Sequence, residues 1–177
     1  MAYANSNPGK VTSGSGGTGS GYPLATEYFP QRAGITMTHV PYKGSTGGVS
    51  DLMSGQIQLI FSGLTGMIPH HKASRVRGIA VTSARRNNAV PDLPTVGETI
   101  PGYESVSWSA ILAPKGLPKE IAVRWNSEIN RLLQQPDVRA RLQGAGLEVV
   151  GGTDAHVREV LLKDIDTWKK VVKGAEI

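Results

Sequence analysis

Glycine and hydroxyl residues crowd one short segment near the start of the chain, VTSGSGGTGSGY at residues 11–22. A β-branched run precedes this segment and an apolar helix-forming run follows it, so it joins a strand to a helix N-terminus. Backbone amides at such a terminus, together with serine and threonine hydroxyls, are hydrogen-bond donors suited to an anion. Composition alone is equally typical of a disordered linker.

The same segment contains GxGxxG at Gly14, Gly16 and Gly19, which is also found in dinucleotide-binding loops. No acidic residue follows at the expected spacing of about 20 positions, and the lysine of a phosphate-binding P-loop is absent. The residues themselves therefore leave three interpretations open: an anion or carboxylate loop, a dinucleotide site, and a linker.

Two later turns repeat the order of strand, polar turn and helix, in HVPYKGSTGGVSDLM at 39–53 and in FSGLTG at 61–66. Parallel strands bring the turns that follow them to one edge of a sheet, where α/β proteins bind ligands. Tyr42 and Lys43 are candidates there for ligand contacts, with an ordinary surface aromatic and a solvated charge as the alternatives.

Other chemistry has little support in the sequence. His70 and His71 are adjacent, so a helix points them about 100° apart and they do not form an i, i+4 metal pair. The chain has no cysteine, which excludes disulfides and thiolate ligands. No GxSxG, HExxH or paired-carboxylate arrangement is present. We therefore predict no catalytic residue, no metal site and no cofactor.

Strands and helices alternate through the first half of the chain, which predicts an α/β layer with parallel strands. The predicted strands lie at 11–13, 36–40, 57–61 and 78–82, and the predicted helices at about 22–32, 46–54 and 65–72. A proline- and glycine-rich segment at 83–103, called the joint below, follows. The second half then offers predicted strands at 105–114 and 147–150 and amphipathic helices at 118–134, from about 136, and from 153 onward. The apolar stripes around Trp125 and Trp168 need a larger sheet to cover them.

The 177 residues carry a net charge of +5, but Lys and Arg are scattered and aromatics make up only 6%. This distribution argues against nucleic acid as a partner. The N-terminus MAYANSNPGK lacks the charged and apolar regions of a secretion signal, and no apolar run approaches the roughly 20 residues of a membrane span. As written, the chain is expected to remain cytoplasmic.

Three long segments carry a resemblance that covers nearly the whole chain. They are HVPYKGSTGGVSDLMSGQIQLIF, GIAVTSARRNNAVPDLPTVGETIPGYESVSWSAILAPKGLP and INRLLQQPDVRARLQGAGLEVVGGT. In this order they resemble the Bug/TctC family of periplasmic solute-binding proteins of tripartite tricarboxylate transporters. The resemblance implies a protein that binds and does not catalyse. It also implies an α/β fold like that of type II periplasmic binding proteins, a two-lobed Venus flytrap. The resemblance further implies that the two lobes close over a small organic carboxylate, which is a di- or tricarboxylate, an amino acid or an aromatic acid.

By motif position, the resemblance carries the carboxylate-binding role to the glycine-rich loop and to the turn after the second strand. The predicted ligand-binding residues of the loop and of the two later turns are Ser13, Ser15, Gly17, Thr18, Gly19, Ser20, Tyr42, Lys43, Gly44 and Ser62. Many family members have an acidic residue where Ser62 stands, so the recognition of a ligand amino group is not expected here.

The resemblance also implies a division of the chain. Residues 1–9 correspond to the end of a first-lobe helix and hinge, 10–104 to a nearly complete second lobe, and 105–177 to the C-terminal part of the first lobe. We therefore expect an N-terminally truncated chain with impaired binding, exposed apolar surface and dimerisation through that surface. The full-length form would be periplasmic and would deliver its ligand to membrane transporter subunits. Two alternatives remain: an enzyme domain using a nucleotide or acyl phosphate, and a structural or regulatory module without a ligand.

Overall fold

The structure is a computed structural model that describes residues 1–16 and 21–174. In chain order its helices are α1 (Ala2–Ser6), α2 (Tyr22–Ala33), α3 (Ser45–Met53), α4 (Leu64–Lys72), α5 (Lys119–Leu133), α6 (Pro136–Gly144) and α7 (Asp154–Gly174), with a 3-10 turn at Val96–Glu98. Its strands are β1 (Thr12–Gly16), β2 (Thr38–Tyr42) and β3 (Leu59–Phe61). The predicted alternation of strands and helices in the first half is confirmed.

The three strands form a parallel sheet in the order β2-β1-β3. Ser13 in the central strand is in register with His39 of β2 and Leu59 of β3. Because side chains alternate along a strand, these three residues share one face of the sheet with Ser15. Helix α2 covers that face, as the contact between the rings of Phe29 and Phe61 shows, with centroids 5.6 Å apart.

Helix α3 covers the opposite face, and glycines make its close approach feasible. A Cβ atom added to Gly14 would lie 2.6 Å from the Cδ1 of Ile57 and 3.0 Å from the Tyr42 ring. A Cβ added to Gly48 in α3 would lie 2.8 Å from the Cδ1 of Ile60. The first half of the chain thus forms a helix–sheet–helix layer around β1.

The prediction of a fourth strand at 78–82 is wrong. Only one bridge forms there, between Val81 and Thr95, and Val81 instead joins a small apolar cluster with Ile68 and Val90. The physical reason is competition from the proline-rich joint, because the Val81 amide donates to the carbonyl of Pro94 at 2.9 Å. A single such contact does not extend into a ladder.

The segments 105–114 and 147–150 also form no strand in the described chain. Strand formation needs a second backbone to accept and donate the ladder hydrogen bonds, and no strand of the described sheet runs beside them. Residues 106–114 are exposed throughout, with Ile111 and Leu112 at 74% and 80% exposure. The predicted exposed apolar surface in this half is confirmed.

The long helix α7 returns to the first half and packs against α2. The rings of Tyr28 and Trp168 meet edge to face with centroids 6.0 Å apart, and Tyr28 stacks on buried Tyr103 at 4.9 Å. The stripe around Trp168 is therefore partly covered by α2, whereas Trp125 on α5 is 62% exposed. No helix among the described residues is long and apolar enough to cross a membrane.

Candidate functional site

Three helices begin at one edge of the sheet, each directly after a parallel strand. Helix α2 starts at Tyr22 after β1, α3 starts at Ser45 after β2, and α4 starts at Leu64 after β3. Parallel strands of one sheet end on the same side, so the three N-termini converge. The edge predicted from the sequence is the one that the fold builds.

All three of these helices have glycine at the N-cap position, namely Gly21, Gly44 and Gly63. None of the three caps makes a side-chain hydrogen bond, and no first turn contains an acidic residue. Ser, Thr, Asp or Asn would ordinarily satisfy one of the first amides from the cap position. Three positive helix ends without an internal anion are therefore turned toward one edge.

The turns at this edge touch one another. A Cβ atom on Gly16, at the end of β1, would lie 3.1 Å from the Cβ of Ser45, the first residue of α3. A Cβ atom on Gly63 would lie 2.6 Å from the hydroxyl oxygen of Tyr22, the first residue of α2. The end of β1 thus touches the start of α3, and the Tyr22 side chain of α2 reaches the cap of α4.

A residue from the second half of the chain also reaches this edge. The hydroxyl oxygen of Ser107 lies 3.3 Å from the position that a Cβ on Gly21 would occupy. Neither of these two residues is among those predicted for the site from the sequence, and Gly63 and Tyr22 are not among them either. The detectable signal was a glycine immediately before each of three helices, where a hydroxyl or carboxyl residue is the usual choice.

The predicted loop residues Gly17, Thr18, Gly19 and Ser20 lie outside the described residues. Of the other predicted residues in this segment, Ser13 is 0% and Ser15 is 1% exposed, and both side chains lie under α2. The hydroxyl oxygen of Ser13 has no partner among the described atoms, whereas that of Ser15 lies 2.7 Å from the Nε2 of His39. Neither hydroxyl can meet a ligand directly in this arrangement.

Tyr42 is half-buried, and its hydroxyl donates to the Asp51 carboxylate of α3 at 2.7 Å. This hydrogen bond raises the pKa of the Tyr42 phenol above its ordinary value. The ring lies against Gly14 and Gly48, so Tyr42 fastens α3 to the sheet.

The remaining predicted residues lie at the edge itself. Lys43 is exposed beside the start of α3, Gly44 caps that helix, and half-buried Ser62 precedes the cap of α4. A lysine ammonium near a helix N-terminus adds to the positive potential that an anion meets.

The described surface also has open depressions away from this edge. One of about 380 Å³ borders the joint at Thr95, Glu98 and Tyr103, and one of about 630 Å³ runs along α5 beside Trp125. Neither is lined by residues of the three helix starts. Among the described residues, no group of three or more His, Cys, Asp or Glu side chains could hold a metal ion.

Residues 1–177 match the TctC family, described as the tripartite tricarboxylate transporter family receptor. The fold is that of solved TctC and Bug periplasmic binding proteins, and this chain belongs to the TctC family. The family and its fold are those of substrate-binding proteins, not of enzymes. The predicted family and fold class are confirmed.

Relatives and solved structures agree with this assignment. The chain is 34% identical over 174 residues to a UPF0065 protein from Pseudomonas sp. strain P51, which covers 97% of the chain and 52% of the relative. It is 31% identical to Protein BugT of Bordetella pertussis, covering 100% of the chain and 55% of BugT. The chain therefore spans about half the length of these two relatives.

Among solved structures, R. palustris Rpa4515 with adipate superposes with a TM-score of 0.91 at 34% identity, covering 99% of this chain and 59% of that one. MatC from Rhodopseudomonas palustris with bound malate superposes with a TM-score of 0.81 at 24% identity, covering 97% and 60% respectively. The second likeness concerns the fold alone. Other neighbours are described as a periplasmic transporter and as the periplasmic binding protein BugD, so the family is periplasmic.

Proposed function

We propose that the edge formed by the starts of α2, α3 and α4 binds the carboxylate of a small organic acid. The observation that carries this proposal is the convergence of three glycine-capped helix N-termini without an acidic residue in any first turn. The first amides of a helix have no partner within the helix and lie at its positive dipole end, and a carboxylate can accept from several such donors at once. The glycine-rich segment 17–20 and Lys43 complete the predicted contacts.

We further propose a dicarboxylate as the ligand class. The structure at 34% identity to this chain is described with adipate, a dicarboxylate. One carboxylate would be held at the three helix starts. The remainder of the ligand would extend toward Ser107 and past it, toward parts of the whole protein that lie outside the described residues.

Isothermal titration calorimetry against adipate, malate, ATP and NAD tests this function. We expect heat from a carboxylate, and we expect the variant Ser45→Asp to weaken it at least tenfold. The added carboxylate would lie at the start of α3 and occupy the same amides. The matched control is Thr153→Asp, which adds the same charge at the exposed start of α7.

Binding of ATP or NAD without a response to carboxylates would favour the nucleotide-using alternative and overturn the proposal. No heat from any of the four compounds would favour a module that does not bind by itself. An equal loss in Ser45→Asp and Thr153→Asp would contradict the assignment to the sheet edge.

We infer that residues 10–104 form one ligand-binding lobe and that 105–177 belong to a second lobe, with 1–9 at the hinge. Support comes from the apolar side chains that nothing in the described chain covers. Ile121, Trp125 and Leu132 share one stripe of α5 and are 41%, 62% and 43% exposed. A helix with such a stripe ordinarily buries it against a sheet.

This division makes two predictions for the isolated chain. Its affinity for a carboxylate should be lower than that of a full-length relative, because on this division the chain supplies only part of one of the two lobes. Its exposed apolar surface should bind the dye ANS and bring two copies together. A dispersed monomer without ANS fluorescence in light scattering would contradict this inference.

On this proposal, the whole protein acts in the periplasm and delivers its ligand to the membrane subunits of a tripartite tricarboxylate transporter. The family description supports that role. Uptake of a labelled dicarboxylate by cells that carry the full-length gene or its deletion tests it. Equal uptake by the two strains would overturn it.

A further inference from the structure

A chain of two hydrogen bonds beneath α2 connects Ser15, His39 and Glu27. The hydroxyl oxygen of Ser15 lies 2.7 Å from the Nε2 of His39, and the Nδ1 of His39 lies 2.9 Å from a carboxylate oxygen of Glu27. Ser15 lies near the end of β1, His39 in β2 and Glu27 in α2. These side chains therefore join the elements on both sides of the 17–20 segment to a third.

When the imidazole of His39 is neutral, the chemistry of the three groups determines which atom donates in each of the two hydrogen bonds. An ionised carboxylate can only accept, so the Nδ1 of His39 must carry the proton and donate it to Glu27. The Nε2 of His39 is then an acceptor, and the Ser15 hydroxyl donates to it. Glu27 thus determines the tautomer of His39, which in turn determines the rotation of the Ser15 hydroxyl.

This connectivity is also that of a nucleophilic serine–histidine–acid triad. Burial excludes that use here. Ser15 is 1% exposed beneath α2, so no carbonyl carbon can approach its oxygen. The side chains of His39 and Glu27 are 26% and 28% exposed. Solvent therefore reaches these two side chains and does not reach the Ser15 hydroxyl.

We propose that His39 and Glu27 are positioning residues for the anion site, acting through Ser15. They hold the end of β1 against the N-terminal half of α2, so that the amides at the start of α2 keep their place at the sheet edge. Preorganised donors spare a ligand the cost of ordering them. The inference rests on the proposed carboxylate function, but its geometric part is measurable without any ligand.

Nitrogen-15 NMR of the histidine side chains tests this relay, the two hydrogen bonds that join Ser15, His39 and Glu27, in the wild-type protein. At about pH 8, above the ordinary range of histidine ionisation, we expect His39 to carry its proton on Nδ1. The variant Glu27→Gln should change the tautomer ratio, because the glutamine amide can accept or donate. A wild-type His39 with its proton on Nε2 would overturn the inference, and this measurement requires no variant to fold.

Amide hydrogen exchange tests the positioning itself. The amide of Ala25 donates to the carbonyl of Gly21 at 3.1 Å in the first turn of α2, and the amide of Val81 donates to the carbonyl of Pro94 at 2.9 Å, outside the β1–β2–α2 elements that the hydrogen bonds of His39 connect. We expect Glu27→Gln and His39→Gln to speed exchange at Ala25 at least tenfold, with less than a twofold change at Val81. Equal changes at both amides, or none, would overturn the inference.

Matched controls and a ligand titration separate this inference from the proposed function. Glu159→Gln and His156→Gln change the same residue types at exposed positions of α7 and should leave both amides unaffected. Adipate affinity should fall at least tenfold in Glu27→Gln and stay unchanged in Glu159→Gln. A confirmed relay in a chain that takes no carboxylate would overturn the proposed function and the link to an anion. Adipate binding that is insensitive to Glu27→Gln would overturn this inference alone.

Discussion

Replacing Ser13 and Ser15 by alanine, one at a time, should change the stability of the chain in opposite directions. The two serines occupy neighbouring positions on the same face of β1, and both are buried beneath α2. They differ in their hydrogen bonds. The Ser15 hydroxyl bonds to His39, whereas that of Ser13 has no partner among the described atoms.

The expected sizes follow from that difference. A buried hydroxyl without a partner costs about 1–3 kcal/mol of desolvation, so Ser13→Ala should raise the free energy of unfolding by about 1 kcal/mol after some loss of packing. Ser15→Ala should lower it by about 1 kcal/mol, because a hydrogen bond is lost and the Nε2 of His39 is left without its donor. The two variants should therefore differ by about 2 kcal/mol.

Urea denaturation followed by circular dichroism measures both changes, in a buffer without carboxylate ions. For a chain of this size, 1 kcal/mol corresponds to roughly 2–4 °C in the melting temperature, so the pair should differ by about 4–8 °C. Ser109→Ala, at an exposed position outside the helices, is the control and should change little. If Ser13→Ala destabilised the chain as much as Ser15→Ala, the reasoning from hydrogen-bond partners would be refuted.

Three further changes test other parts of the fold. Gly14→Ala should lower the free energy of unfolding by about 1–3 kcal/mol in urea denaturation, because the new methyl group would lie 2.6 Å from the Cδ1 of Ile57. Tyr103→Phe should raise the melting temperature, since the Tyr103 hydroxyl is buried without a partner among the described groups and burial raises the pKa of its phenol. The guanidinium of Arg86 lowers the pKa of the Glu98 carboxyl from 4.5 to about 2, so the stability that Glu98 supplies is complete above pH 4.5 and is lost as the pH falls through about 2. Melting temperatures of wild type and Glu98→Gln should accordingly differ at neutral pH and converge in acid.

A control variant or a contrary result tests the reasoning behind Gly14→Ala, Tyr103→Phe and Glu98→Gln. Gly66→Ala adds a methyl group in a helix where nothing lies within 4 Å, so it should not destabilise. Equal effects of Gly14→Ala and Gly66→Ala would mean that close packing is not the cause. A lower melting temperature in Tyr103→Phe would show that the hydroxyl has a stabilising partner. A difference between wild type and Glu98→Gln that stays constant down to pH 2 would contradict the assigned ionisation.

Local pattern determined a large part of this fold. Short β-branched runs followed by glycine-rich turns and apolar helices predicted β1 to β3 and α2 to α4, because periodicity and turn chemistry act over a few residues. The same order placed three turns at one edge of a parallel sheet. Three motif segments between residues 39 and 153 then carried the resemblance to the family. Local pattern left a carboxylate loop open beside a dinucleotide site and a linker.

Tertiary structure decided what each polar side chain does. Ser15 was predicted as a ligand contact, yet the packing of α2 buries it and pairs it with His39, which lies 24 positions away. The segment 105–114 has the pattern of a strand but forms none in the described chain, because a strand is stabilised by hydrogen bonds to a second backbone. A sequence therefore determines which residues prefer a helix or a strand and which atoms can donate. Which donor meets which acceptor depends on how the elements pack, and here that packing leaves the amides at three glycine-capped helix starts facing one edge.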